Sequence, residues 1–318
     1  MIELDGYSLV AIYSAMAIYT IAFVLFAVDM AQRSSRKAPP RPEETPGQVA
    51  QFRGAVTVLQ QKSPPAEAPT VATRIGQAAF ALVVLGWLLH VGGVVLRTLA
   101  QGFVPWASMF EFSLTSSAIS VGVFIVIQRW LDVKFLGVYL VGFTLLSLGV
   151  GTVNFYVPVK PLPPALDSYW LVIHVFVASL ATAFFTLGAG LAIGQLVQSA
   201  REAGKRSFSW FTSLPDSTRL ETMSYMLNVI GFVFWSFTLI AGAIWAERSW
   251  GRYWGWDNKE VWTFIVWVVY AGYVHARATR GWRGTRSSWL ALVGFATVIF
   301  NYTAVNLFLP GLHAYSGI

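Results

Sequence analysis

Eight stretches of this chain are long and apolar enough to cross the hydrocarbon core of a membrane, which is about 30 Å thick. We place them at residues 8–29, 76–99, 113–129, 135–156, 169–196, 221–244, 261–276 and 288–309. Apolar residues make up 56% of the sequence and charged residues only 12%, whereas about a quarter of the residues in soluble proteins are charged. The sequence therefore predicts an all-α fold, a polytopic membrane bundle of about eight transmembrane helices.

The distribution of basic residues predicts the orientation of these helices. The first apolar segment follows Glu3 and Asp5 rather than Lys or Arg, and it is too long for the apolar core of a cleaved secretory signal. With the N-terminus outside the cell membrane, 17 of the 22 Lys and Arg residues fall on the cytoplasmic side, in loops or, for Arg129, at the inner end of a span. Eight spans then place the C-terminus outside as well. The net charge of +7 is thus a signal of topology, and no nucleic-acid partner is expected.

Changes in composition predict three parts of the chain. Residues 1–30 form the first transmembrane helix. Residues 31–75 are rich in Pro, Gln, Ala, Glu and Arg without apolar periodicity, which is typical of a mobile cytoplasmic linker; a docking segment for a partner is the alternative. Residues 76–318 form the membrane domain, with an outer Trp-rich loop at residues 245–262.

The Trp-rich loop contains an unusual density of indole rings. Residues 250–262 read WGRYWGWDNKEVW, and Trp245 lies just upstream. Trp is enriched at all membrane interfaces, so an aromatic belt is the simpler explanation. So many rings also make an apolar surface that can cover a flat macrocycle. We therefore take Trp245, Trp250, Trp254 and Trp256 as candidates for binding a planar ligand.

The four histidines are the candidate metal ligands, because the chain has no cysteine to supply thiolates. His174 lies near the outer start of its span and His313 follows the last span, so both are expected on the same face as the Trp-rich loop. Two imidazoles there suit the two axial positions of a haem iron. Asp257 is expected to orient the loop by hydrogen bonding. The alternative is that each histidine is a hydrogen-bonded residue of the membrane surface.

Three basic residues of the Trp-rich loop are candidates for pairing with the propionate groups of a haem. They are Arg248, Arg252 and Lys259. Arg and Lys both bind carboxylates, Arg in a two-pronged geometry and Lys as a point charge. The alternative is that all three are simply solvated.

The other two histidines fall within spans. His275 lies near the inner end of its span and His90 lies inside the second span, and ionisable residues within a membrane commonly have a function. Together they could ligate a second haem inside the bilayer. The alternative for His90 is a neutral side chain hydrogen-bonded to a neighbouring helix.

Four stretches of the sequence resemble a known family. The first, WGRYWGWD at 250–257, resembles the tryptophan-rich signature of haem-handling membrane proteins, and the others are VPWASMFEF at 104–112, VHARATRGWRG at 274–284 and GLHAYSG at 311–317. Within that group the chain resembles the CcsA/ResC branch of system II cytochrome c biogenesis, called CcsB in actinobacteria. The resemblance covers roughly residues 76–318.

The resemblance implies a set of site residues and partners. His174 and His313 match the outer pair that ligates the haem b awaiting attachment, with Trp250, Trp254, Trp256 and Asp257 completing the catalytic set. His275 matches the ligand of a transit haem whose partner ligand belongs to a companion subunit. The family acts as a holocytochrome c synthase on Cys-Xaa-Xaa-Cys-His segments of apocytochrome c. It works with a ResB-type companion in the lipid membrane, and thiol-reducing proteins are further expected partners.

Two other functions fit the same features. A haem exporter would pass haem on without promoting its attachment. A di-haem electron carrier would hold two His pairs across two helices, which disagrees with four histidines on four separate segments.

Overall fold

All long elements in the described part of the chain are α-helices. The computed structural model describes residues 2–35, 71–204, 214–279, 281–309 and 311–313. The helices are α1 Ile2–Ser35, α2 Val71–Gln101, α3 Met109–Ile127, α4 Gly137–Asn154, α5 Tyr169–Glu202, α6 Ser217–Trp250, α7 Asn258–Ala278, α8 Thr285–Tyr302 and α9 Ala304–Phe308. Short 3₁₀ turns lie at Lys134–Leu136 and Pro164–Leu166. The all-helical prediction is confirmed.

Seven of these helical stretches are long and apolar enough to cross a membrane, so the chain is a multi-pass membrane protein. They correspond to α1, α2, α3, α4, α5, α6 and the stretch Thr285–Phe308 that contains α8. The predicted span 261–276 forms α7 but does not meet the same criterion. Its Trp, Tyr, His and Arg residues lower its mean hydropathy, and such residues are also the ones that favour the membrane interface.

Contacts along its length show that α7 nevertheless runs through the bundle beside α6. The indole of Trp267 donates to the Ser236 hydroxyl at 2.8 Å. At the far end, Arg277 Nε lies 2.7 Å from Glu221 Oε1, close to the first residue of α6. Because the start of α7 directly follows the end of α6 in sequence, the two helices are antiparallel and share their full height. The prediction of about eight membrane helices therefore describes this bundle well.

The helices pack as consecutive antiparallel pairs, α1 with α2, α3 with α4, α5 with α6 and α7 with α8. One core cluster joins the first four helices around Leu114, Phe124 and Leu140 and extends to Leu187 of α5 and Leu220 of α6. A second core cluster joins the four helices α5, α6, α7 and α8. In it the rings of Phe185 in α5 and Tyr270 in α7 stack with centroids 3.7 Å apart. Helix α3 packs on α5 and so connects the two halves.

The segment boundaries differ from the prediction where helices continue past the hydrocarbon. Helices α1, α5 and α6 are each 34 residues long, and at 1.5 Å per residue such a helix is about 50 Å long, well beyond a ~30 Å apolar core. The predicted linker 31–75 is therefore shorter, since α1 ends at Ser35 and α2 begins at Val71. The remainder of that linker, residues 36–70, lies outside the described residues.

A buried arginine joins four parts of the chain at the end of the bundle where α6 finishes. The Arg97 side chain is 1% exposed and lies 2.7 Å from Asp5 of α1 and 2.9 Å from Glu111 of α3. It also donates to the carbonyl of Val157 at 2.8 Å. Glu111 in turn accepts from the backbone N–H of Ala107 at 2.8 Å. The network fixes the loop between α2 and α3 against the helices around it.

Candidate functional site

A mainly apolar cavity of about 230 Å³ opens at the end of the bundle where α5 begins, α6 ends and α7 begins, here called the Trp-rich end. It extends between α3, α4, α5, α6 and α8 as far as Ser116, Phe143 and Thr182. Its lining includes two histidines, four tryptophans and one lysine: His174, His313, Trp106, Trp235, Trp245, Trp254 and Lys259. Trp106 belongs to the loop that Arg97 and Glu111 hold in place.

His174 sits in a socket formed by the backbone of α6. Its Nδ1 lies 3.0 Å from the carbonyl oxygen of Thr238, which accepts the imidazole N–H. One helical turn further on, a Cβ added to Gly242 would lie 2.7 Å from His174 Cε1. The absence of a side chain at Gly242 is therefore what lets the imidazole approach α6. The hydrogen bond places the lone pair of the neutral ring on Nε2.

His313 is held by Asp257, the residue that caps α7. His313 Nδ1 lies 2.8 Å from Asp257 Oδ2, and the Leu312 amide donates to Asp257 Oδ1 at 2.8 Å. The hydrogen bond from His313, supported by that amide, lowers the pKa of Asp257 from its ordinary 3.8 to about 2. A carboxylate on Nδ1 is the arrangement that orients many metal-binding histidines and leaves Nε2 to face the metal.

The two imidazoles contact the same indole ring. The centroid of Trp245 lies 6.0 Å from that of His174, with the rings nearly parallel, and 5.4 Å from that of His313, edge to face. Trp250 lies 4.8 Å from His313 and 5.0 Å from Trp245. Trp245 is only 2% exposed and packs on Leu166 and Leu171. The structure thus brings His174, His313 and Trp245 together in the cavity lining, and Trp250 packs against His313 and Trp245.

The other two predicted indoles lie further out. Trp254 lines the cavity mouth and is 36% exposed, while Trp256 is 76% exposed and packs edge to face on Trp254 at 5.7 Å. Trp256 has a φ of 60°, the left-handed region that bulky residues seldom adopt. The tryptophans therefore divide into an inner pair beside the histidines and an outer pair at the rim.

Of the three predicted basic residues, Lys259 is the one that lines the cavity. Its ammonium donates to the carbonyl of Asn301 at 2.6 Å and to the side-chain oxygen of Asn306 at 3.0 Å. Arg252 lies nearby, with Nη1 3.6 Å from Glu260 Oε1. Arg248 is exposed and lies over the ring of Tyr169 at 5.5 Å, outside the cavity lining.

Glu260 is a residue of this site that the sequence analysis did not include. Its Oε2 accepts from the amides of Gly255 at 2.7 Å and Asp257 at 3.1 Å, and it lines the cavity while being only 9% exposed. With Asp257 it forms a capping box at the start of α7. The signal was present in the sequence, because an Asp followed three residues later by Glu before an apolar run is typical of such a helix start.

The structure does not bring His90 and His275 together. His90 is fully buried between α1, α2 and α3, where Nε2 donates to the Leu114 carbonyl at 2.9 Å and Nδ1 lies 3.4 Å from the Tyr19 hydroxyl. Both ring nitrogens therefore have protein partners, as expected for a structural histidine. His275 is exposed near the end of α7. A haem held by His90 and His275 stays a prediction that these contacts do not support.

The cavity residues fit a flat, apolar macrocycle with an anionic edge. Two imidazoles are fixed through Nδ1, so the nitrogen suited to iron is the other one in each ring. Indoles and aliphatic side chains match the faces of such a ring, and the Lys259 ammonium with Arg252 nearby matches carboxylates at its edge. The donor set contains no thiolate, because the chain has no cysteine.

Comparison with known proteins links this arrangement to one family. The family model described as "Cytochrome C assembly protein" matches residues 75–313. The cytochrome c biogenesis protein CcsA of a Synechococcus strain is 32% identical over 264 residues, covering 74% of this chain and 85% of that protein. CcsA of Guillardia theta is 34% identical over 248 residues, covering 69% and 79%.

A solved structure shares the fold. The cytochrome c haem lyase CcmF superposes with a TM-score of 0.62 at 17% sequence identity, covering 94% of this chain and 46% of that one. The chain thus spans about half the length of that protein, and at this identity the likeness concerns the fold alone.

Proposed function

The chain belongs to the cytochrome c assembly protein family and has a role in cytochrome c maturation, and on that premise we propose that it binds haem at the Trp-rich end and presents it for attachment to apocytochrome c. The observation that carries the proposal is the pair of imidazoles that line the same cavity. His174 and His313 are each fixed by a hydrogen bond from Nδ1, and both contact Trp245. Such a pair is suited to the two axial positions of one iron.

The chemistry of attachment assigns a limited task to this chain. Each thiol of a Cys-Xaa-Xaa-Cys-His segment adds across a haem vinyl group, forming a carbon–sulfur bond to one vinyl carbon while the thiol proton ends on the other. No net oxidation or reduction occurs, and the nucleophiles belong to the substrate. The protein must therefore hold the iron and orient the vinyl edge, which is catalysis by positioning. The absence of cysteine also means that the catalyst offers no competing thiol.

Each group of site residues has a defined role in this proposal. His174 and His313 ligate the iron of haem b, and Asp257 keeps His313 in the tautomer that presents Nε2. Trp245 and Trp250 support the imidazoles, while Trp254 and Trp256 cover the macrocycle at the rim. Lys259 and Arg252 neutralise the propionates. Arg248 stays a candidate for the same role, although it does not line the cavity and its guanidinium lies over the Tyr169 ring.

The proposal extends to location and partners. The charge asymmetry of the loops supports a cell membrane with the Trp-rich end on its outer face. A ResB-type companion subunit and thiol-reducing proteins would complete a system II synthase. Exposed His275 remains a candidate ligand for a haem in transit, shared with that companion.

The central experiment substitutes the two histidines in the full chain, co-expressed with the companion and an apocytochrome c. We expect His174→Ala and His313→Ala each to lose haem from the purified protein and to lower holocytochrome c by at least tenfold. Added imidazole should restore part of both, because it replaces the missing ligand without repairing a misfolded chain. His90→Gln is the matched control, since its amide can still donate to the Leu114 carbonyl.

Two outcomes would change the proposal. Normal maturation in both histidine variants would rule out ligation by this pair. Haem-loaded wild-type protein that never yields covalent product, even with the companion present, would instead favour a haem carrier.

A further inference from the structure

A second cavity, of about 250 Å³, lies at the opposite end of the bundle from the Trp-rich end. It is enclosed by the end of α1, the start of α2, the turn between α3 and α4, and the start of α6. Five charged residues line it: Asp29, Arg33, Asp132, Lys134 and Arg219. The rest of the wall is largely apolar and includes Phe26, Met30, Phe135 and Val138. The cavity therefore combines a charged rim with a hydrocarbon surface.

Asp29 provides a buried acceptor that the helices do not satisfy. Its side chain is 10% exposed, and Oδ2 lies 2.9 Å from Arg33 Nε. Its Oδ1 has no hydrogen-bond partner among the described residues. Because Gly76 has no side chain, α2 closes directly over this carboxylate, where an added Cβ would lie 2.8 Å from Oδ2. A buried acceptor of this kind is normally satisfied by a ligand, an ion or water, so a hydrogen-bond donor is expected in the cavity.

The basic residues on the rim of the cavity require an anionic group, whereas Asp29 Oδ1 requires a hydrogen-bond donor. Lys134 and Arg219 are exposed, and neither has an ion pair within the part of the chain that the structure describes. Together with Arg33 they outnumber Asp29 and Asp132 by one positive charge. Unpaired cations beside an apolar wall at a membrane end are typical of sites for lipid phosphate groups.

We propose that this cavity binds the head group of a membrane phospholipid whose phosphodiester is followed by a hydroxyl or an ammonium group. The phosphate would pair with Lys134 and Arg219, and the hydroxyl or ammonium would donate to Asp29 Oδ1. The acyl chains would leave along Phe26, Met30 and Val138. One lipid would thereby link α1 and α2 to α4 and α6. The site is separate from the haem cavity, and the proposal does not depend on the proposed function.

The ligand series that tests this proposal uses the full wild-type chain and native mass spectrometry. The protein is delipidated in detergent and titrated with phosphatidylglycerol, phosphatidylethanolamine or phosphatidylcholine of the same acyl chains. Glycerol hydroxyls and the ethanolamine ammonium can donate to Asp29, whereas the choline group has no N–H or O–H. We expect at least fivefold tighter binding of the first two lipids. Inorganic phosphate is titrated separately, and equal binding of phosphate alone would assign the site to a free anion and overturn the lipid assignment.

Substitution of the two basic residues tests whether they bind the lipid phosphate. Removing one basic residue near a membrane surface weakens binding of an anionic lipid about fivefold, so the double variant Lys134→Gln, Arg219→Gln should bind phosphatidylglycerol roughly 20-fold more weakly. The matched control removes two exposed cations of the same bundle end that do not line the cavity, Arg129→Gln with Arg286→Gln.

Asp29→Asn tests the donor requirement. Its amide N–H₂ would replace the unpaired acceptor with a donor, so the preference over phosphatidylcholine should disappear while binding through the phosphate persists. Unchanged binding in the double variant, binding lost equally in the control, or a wild-type protein that binds all three lipids alike would each overturn the proposal. Because the lipid series needs no substitution, a variant that fails to fold leaves the test intact.

Discussion

The two candidate iron ligands are fixed by quite different neighbours. His174 donates to a backbone carbonyl inside a helix, at a place where Gly242 leaves room for the ring. His313 donates to the Asp257 carboxylate in a loop. In both residues Nδ1 carries the proton, so Nε2 has the lone pair that can bind a metal. The carboxylate partner also makes the His313 imidazole a stronger electron donor. The two ligands of one iron would therefore be chemically unequal.

The socket of His174 makes Gly242 a positioning residue. In Gly242→Ala the new methyl group would overlap the imidazole, so we expect the purified protein to retain several-fold less haem. Helix stability should not suffer through the backbone, since Ala is favoured over Gly in a helix by about 0.5–1 kcal/mol. Haem content and melting temperature are measured together. Gly272→Ala in α7, where an added Cβ meets nothing within 4 Å, is the control and should keep its haem.

At this scale the sequence predicted side chains better than it predicted their partners. His174, His313 and the tryptophans have recognisable types and spacings, and the structure brings four of them together. The Thr238 carbonyl and the space at Gly242 could not be predicted, because a backbone acceptor has no sequence signature and a glycine in a helix does not reveal which neighbour approaches it. For His90 the sequence left two alternatives, a haem ligand and a hydrogen-bonded side chain, and its contact with Leu114 of α3 favours the second.

Among the elements, the start of α7 contacts both the Trp-rich loop and the segment that carries His313. Asp257 caps the helix, accepts from His313 and accepts from the Leu312 amide. Glu260 holds the preceding loop through the amides of Gly255 and Asp257. One helix terminus thus fixes both the Trp-rich loop and the segment that carries a candidate iron ligand.

The lowered pKa of Asp257 predicts how this attachment depends on acidity. Because the folded-state pKa, about 2, is below the ordinary 3.8, the interaction stabilises the fold fully above pH 4 and is lost as the pH falls from about 4 to 2. Asp257→Asn should therefore melt at a lower temperature than the wild type at pH 6, and the difference should shrink towards pH 2. Melting curves across this range measure it.

The His313→Ala background provides the control for this prediction. The hydrogen bond from His313 is the largest cause of the low pKa, so without it most of the acid-dependent difference should disappear. A difference that persists unchanged in that background would mean that other neighbours of Asp257 are responsible.

Element boundaries were predictable where hydropathy changes sharply and were wrong where it does not. The segments within α3 and α4 agree with the structure to within a few residues at most ends, whereas α1 and α6 continue for several residues beyond the apolar segments, where hydropathy does not identify a helix. Helix α7 is a membrane helix that hydropathy alone does not identify. Its aromatic and basic residues lower its mean hydropathy, yet its contacts with α6 at Ser236 and Glu221 keep it in the bundle.

For the whole molecule, the order of helices and the placement of charge lead to a test of orientation. The chain lacks cysteine, so single cysteines can be introduced into an otherwise unreactive background. We expect Asp167→Cys, near the start of α5, to react with a membrane-impermeant maleimide on intact cells. Asp132→Cys, between α3 and α4, should react only after the cells are permeabilised. The reversed pattern would contradict an outward-facing Trp-rich end.

Most of the bundle was predictable from the sequence because long apolar stretches mark helices that cross a membrane, and α7 is the exception whose place depends on its contacts with α6. What apolar length does not specify is which helices pair and how deep a cavity between them reaches. The extension of the cavity at the Trp-rich end to Ser116 and Thr182 depends on how α3 packs against α5, and the cavity beside Gly76 depends on how closely α1 and α2 approach.

Trp256 carries an implication for the free protein. A large indole that is mostly in solvent and held at a φ of 60° gains little from packing and resists its own backbone preference. Its conformation must therefore be imposed by the hydrogen bonds that the amides of Gly255 and Asp257, on either side of Trp256, donate to Glu260. Folding therefore orders the Trp256 ring before any ligand binds. If the ring contacts the proposed haem, binding does not have to include the entropic cost of ordering it.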